Sequence, residues 1–128
     1  MSSFALPALM ASALALAQSA QPVPAEAQTQ GSTPIVMSYS SVIACAGVTQ
    51  AMSELEGGES DHGRRLYDVA LYWSLSAIQL AQATGKSDLR TEQDMTNARI
   101  RAVRELHNRD PHTLEHLDKC MKSAPGLD

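Results

Sequence analysis

Two cysteines, Cys45 and Cys120, are the residues with the most definite chemistry in this chain. An even number of cysteines in an exported protein reads as a disulfide framework, and two allow one pairing. Each lies among apolar residues at helical spacing, so both are expected on the inner face of a helix. A bridge between them would tie the first structured segment to the last. Closing a loop of that length stabilises a fold by about 4 kcal/mol on the chain-entropy account. No Cys-x-x-Cys is present to lower a thiol pKa, which argues against a redox-catalytic pair.

A second cluster is histidine-rich. His107, His112 and His116 fall within ten residues, with Glu105 and Glu115 beside them. His112 and His116 stand one helical turn apart and could share Zn²⁺, Cu²⁺ or Ni²⁺ weakly. The competing reading is two exposed polar residues opposite Leu114 and Leu117. His112-Thr113-Leu114-Glu115-His116 also matches the His-x-x-Glu-His of inverted zincin peptidases. Such enzymes take a third ligand from a later helix, and only 12 residues follow His116.

Other patterns have simpler explanations. Val42-Ile43-Ala44-Cys45 resembles a bacterial lipoprotein cleavage box, but a polar tract separates it from the apolar leader. Lipidation would also leave Cys120 without a partner. Thr84-Gly85-Lys86-Ser87 has the tail of a phosphate-binding loop but lacks its earlier glycine and a preceding strand. A helix stop followed by a helix start accounts for it. Arg99, Arg101 and Arg104 are interleaved with acidic residues, as on a solvated helix face. No nucleophile elbow, haem-attachment motif or active-site carboxylate pair is present, so the expectation is a non-enzymatic protein without a cofactor.

The elements that must position these residues are helices. The expected class is all-α: an up-and-down bundle of about four helices with one disulfide, preceded by a signal peptide and a flexible arm. The segment from Phe4 to Ala17 is apolar and uncharged, of signal-peptide length and too short to span a bilayer. Residues 1–27 are read as this leader, although the first basic residue of the chain is Arg64. Residues 28–37 read as a flexible arm, 38–124 as the helical domain and 125–128 as a tail. The expected location is the periplasm or the exterior.

Caps and periodicity give the helices. The first is read from Ser40 to Leu55, with Cys45, Val48, Met52 and Leu55 on one face and Gly57-Gly58 as its stop. The second runs from Asp61 to Thr84, capped by Ser60 or Asp61 and stopped by Gly85. One of its stripes holds Leu66, Val69, Ala70, Trp73, Ala77, Leu80 and Ala81. Another holds Tyr67, Leu71, Leu75 and Ile78. A helix apolar on most sides is surrounded by protein, so this one is expected at the bundle centre or half covered by a second subunit.

The third helix starts at Ser87 or Thr91 and ends at Asn108. It buries Met95, Ala98, Ala102, Val103 and Leu106 and carries exposed Arg90–Asp94 and Arg101–Glu105 pairs. The fourth runs from Pro111 to Ser123, capped by Asp110, with Leu114, Leu117 and Met121 inward beside Cys120.

Charge and composition narrow the partners. A net charge of −4 opposes binding to nucleic acid or an anionic membrane surface. No segment after the leader is apolar and long enough for stable membrane insertion. The expected function is an interaction protein, self-associating or holding a protein partner through Tyr67, Leu71, Leu75 and Ile78. Two alternatives are an acid-stress chaperone in the periplasm, read from the carboxylates and four histidines, and a weak metal-binding protein using His112 and His116.

Overall fold

A computed structural model describes residues 37–126; the segments read above as a leader (1–27) and, apart from Met37, as an arm (28–37) lie outside the described residues. Four helices follow one another: α1 Tyr39–Glu56, α2 Asp61–Ala83, α3 Asp88–His107 and α4 Pro111–Ser123. Among the described residues there is no strand.

Each helix begins on a side-chain cap that satisfies amides left unpaired by the helix geometry. Ser38, Ser60 and Ser87 accept from the amide three residues on, in α1, α2 and α3 respectively. Asp110 accepts from the amides of His112 and Thr113, with Pro111 in the first turn of α4. The stop after α2 is a Schellman turn. Lys86 N–H donates to the Ala81 carbonyl at 2.9 Å while Gly85 sits at φ 76°. Thr84-Gly85-Lys86-Ser87 is therefore a stop and a cap in succession. The α3–α4 turn repeats the device, with Asp110 N–H on the Glu105 carbonyl at 3.0 Å. Its left-handed residue is Arg109 at φ 53°, a position where a side chain is unfavourable.

The central helix is α1, not α2. It packs extensively on α2 and α3 and less on α4. Val42, Ile43, Cys45, Ala46, Gly47, Val48, Thr49 and Ala51 are all buried, so its middle is covered on every side. The residues that permit this are small. Gly47 lies so close to α3 that a Cβ there would stand 2.6 Å from the Ala98 Cβ. Thr49, fully buried, returns its hydroxyl to the Cys45 carbonyl at 2.6 Å, which removes the cost of burying it.

Two apolar residues expected inside are outside. Leu55 is 50% exposed, because it lies in the last turn of α1, beyond the covered middle. Leu114 is 43% exposed, because α4 turns Thr113 and Cys120 inward instead. The first stripe of α2 does form the core: Leu66, Val69, Ala70, Trp73, Ala77 and Ala81 are buried, with Leu80 packed against them. In α3, Ala102 and Leu106 are buried, and Met95, Ala98 and Val103 pack against the core.

Candidate functional site

The disulfide is present. Cys45 of α1 and Cys120 of α4 are joined across 75 positions of sequence, with Cα atoms 5.5 Å apart. Both are almost fully buried. Around the bridge the helices supply specific partners. Trp73 of α2 donates its indole N–H to the Cys120 carbonyl at 3.1 Å and meets Tyr72 edge-on at 5.0 Å between ring centroids.

His116 belongs to this corner. One turn before Cys120 on α4, it is half-buried with Nε2 3.6 Å from the Cys120 sulfur. It is drawn in against the sulfur, while His112 one turn earlier is exposed, and both border one surface pocket. Among the described residues, one group of three metal-ligating side chains has donor atoms within 4.8 Å of one another. It is Cys45, His116 and Cys120, and it includes neither His107 nor His112. His107 and His112 are both exposed.

A shallow pocket of about 250 Å³ opens beside the bridge, lined by Ala44, Val48, Glu105, His112, Thr113 and His116 among others. Glu105 does not pair with Arg101 on its own helix. Its carboxylate accepts from the buried Thr113 hydroxyl at 2.8 Å, linking α3 to α4. A buried hydroxyl left without an acceptor costs more than an exposed ion pair gains, which decides the competition. The Arg90–Asp94 pair does form, at 3.2 Å. Arg99 reaches across to Glu54 of α1 at 3.1 Å, so it is not free to bind an anion.

The entrance to α1 is latched onto α3. The Tyr39 hydroxyl donates to Asp94 at 2.8 Å, and the Lys86 ammonium lies 4.6 Å from the centre of the Tyr39 ring. That hydrogen bond is the main reason the Asp94 carboxyl is held below its ordinary pKa. Burial, followed by the same carboxylate, pushes the Tyr39 phenol up.

The second candidate surface is the outer face of α2. Tyr67 is 59% exposed, Leu71 48% and Leu75 51%, while Ile78 is half-buried. Tyr67 and Leu71 border a groove of about 260 Å³ whose other wall holds Gln50, Glu54 and Arg99. Gln50 is held there by Ser74, which accepts from its amide at 2.5 Å.

Sequence reasoning missed Thr113 and His116 as inward residues of α4. The signal was the three- and four-residue steps linking both to Cys120, masked by the more obvious His112–His116 spacing. No protein-family model matches the chain, and neither does any curated protein or solved structure. The class supported by the fold is a small all-helical bundle closed by a disulfide, and among the described residues no helix is long and apolar enough to cross a membrane.

Proposed function

We propose that this protein is an exported, non-enzymatic interaction module that self-associates through the outer face of α2. The observation that carries the reading is the row Tyr67, Leu71 and Leu75, three large apolar side chains about half exposed on successive turns of one helix. A contiguous apolar patch on a soluble domain marks an association surface more often than scattered single residues do. The first stripe of α2 is already used against α1, and of the second Tyr67, Leu71 and Leu75 stay about half exposed. A second copy of the chain offers the same stripe, which suits a two-fold interface.

The buried Cys45–Cys120 bridge supports a periplasmic or secreted location, because such bonds persist in oxidising compartments. The apolar segment from Phe4 to Ala17 supports a leader that directs the chain there.

The test is the solution mass of the oxidised protein by light scattering across a concentration series, alongside the Leu71→Glu, Leu75→Glu double variant. A dimer mass that the double variant reduces to a monomer mass is expected. A monomer at every concentration overturns self-association.

A further inference from the structure

We propose that in its dithiol form, the state in which the chain is synthesised, Cys45, Cys120 and His116 make up a binding site for a thiophilic d¹⁰ cation, Zn²⁺ or Cu⁺. This site is separate from the outer face of α2 and does not rest on the interaction reading.

Tetrahedral Zn²⁺ takes thiolate sulfur at about 2.3 Å and imidazole nitrogen at about 2.0–2.1 Å. Two ligands of one ion then stand ~3.6 Å apart for a sulfur–nitrogen pair and ~3.8 Å apart for two sulfurs. His116 Nε2 is already 3.6 Å from the Cys120 sulfur. All three donor atoms lie within 4.8 Å of one another. Once the sulfurs are not bonded, van der Waals repulsion alone separates them to about the spacing a shared ion requires. Cα atoms 5.5 Å apart on two helices leave side-chain rotation to make the adjustment.

The chemistry of the ligands agrees. Two thiolates and an imidazole are a soft set that selects Zn²⁺ or Cu⁺ over Mg²⁺ or Ca²⁺. Each bound Zn²⁺ displaces two thiol protons, so two positive charges enter as two leave. Bound Cu⁺ leaves one net negative charge, and Arg101 lines the adjoining pocket to offset it. The sulfurs are buried, whereas His116 is half-buried at that pocket, which gives an ion a way in and room for a solvent ligand. Disulfide sulfurs are poor ligands, so the bridge and the ion exclude each other. Metal on the reduced chain would delay formation of the bond.

The test uses the full chain reduced by a small dithiol, which is oxidised to its cyclic disulfide and removed under argon. Zn²⁺ is titrated into reduced and oxidised protein, with Co²⁺ as a spectroscopic probe. One equivalent of Zn²⁺ bound by the reduced form alone is expected, with about two protons released and a thiolate-to-cobalt charge-transfer band. His116→Ala should weaken binding by more than the roughly 10- to 100-fold that loss of an outer-shell partner costs. His107→Ala should leave it unchanged. Equal binding by oxidised and reduced protein, or no effect of His116→Ala, overturns the proposal. Should the reduced chain lose its helicity, the same titration is followed by circular dichroism. Zn²⁺-driven recovery that needs His116 supports the site; no recovery, or equal recovery in His116→Ala, overturns it.

Discussion

The indole of Trp73 donates its N–H to the carbonyl oxygen of Cys120, 3.1 Å away. That carbonyl is one of the last four of α4, which ends at Ser123, and such carbonyls have no partner within their own helix. One side chain of α2 thus closes the end of α4 at the residue that also carries the disulfide. Trp73→Phe removes the donor, leaves the buried carbonyl unpaired and opens space in the core. A loss of about 2–4 kcal/mol is expected by urea unfolding, combining a lost hydrogen bond with a partial cavity.

Removing the bridge should cost more. The loop it closes spans 75 positions, and the chain-entropy account assigns that about 4 kcal/mol. Cys45→Ala, Cys120→Ala should lower the midpoint of thermal unfolding by well over ten degrees, since each kcal/mol moves a domain of this size by roughly 4–8 °C. An unchanged midpoint would mean that packing alone holds α1 to α4.

Gly47 tests the close approach of α1 and α3. Alanine favours a helix over glycine by about 1 kcal/mol, so propensity alone predicts that Gly47→Ala stabilises. The new Cβ would meet the Ala98 Cβ at 2.6 Å and the Ala98 carbonyl carbon at 2.7 Å. Overpacking of this kind costs about 1–3 kcal/mol, so net destabilisation is expected. Ala98→Gly should rescue it only in part, because the clashes with the Ala98 carbonyl carbon and with the Arg99 nitrogen at 2.9 Å are with backbone.

The Tyr39–Asp94 hydrogen bond makes a pH signature. Asp94 is held below its ordinary pKa chiefly by the Tyr39 hydroxyl, with Arg90 and Lys86 adding to the effect. A carboxyl depressed in the folded state binds fewer protons there than when unfolded. Its contribution is therefore present above about pH 4 and is lost as pH falls through the folded value. Tyr39 is raised, so its contribution holds below about pH 10 and is lost as pH rises through the folded value. Tyr39→Phe should be less stable than wild type at neutral pH. The gap should narrow in acid and again in strong alkali. A gap independent of pH would assign the effect to packing.

The outer face of α2 should be separable from the fold. Leu71 and Leu75 are about half exposed, so Leu71→Glu, Leu75→Glu should change stability by no more than about 0.5 kcal/mol for each position. The solution mass should change from dimer to monomer. A large loss of stability without a change in mass would make these residues part of the monomer core.

Much of the fold was legible because its signals are local. Ser60, Ser87, Asp110 and Pro111 start helices through their own side chains, and Gly85 stops one through its missing Cβ. Arg109 does the same work as Gly85 without any such signal, since the left-handed conformation there is imposed by the turn and not favoured by the residue. Leu55 and Leu114 were misplaced for another reason. Periodicity assigns one inner face to each helix, but it registers neither where the neighbours end, which leaves Leu55 outside, nor how a helix is rotated on them, which leaves Leu114 outside.

What the sequence by itself determined is the set of four helices, the pairing of Cys45 with Cys120 and the two apolar stripes of α2. Caps, spacing and a single available cysteine partner are enough for those. Only the tertiary structure decided that α1 is the central helix, because small residues such as Ala46, Gly47 and Ala51 register weakly as hydrophobic yet allow neighbours on every side. It alone placed His116 against the sulfur of Cys120 and gave Glu105 to Thr113. Those choices depend on how helices rotate to bury their polar groups with partners, and no spacing within one helix records the partner on another.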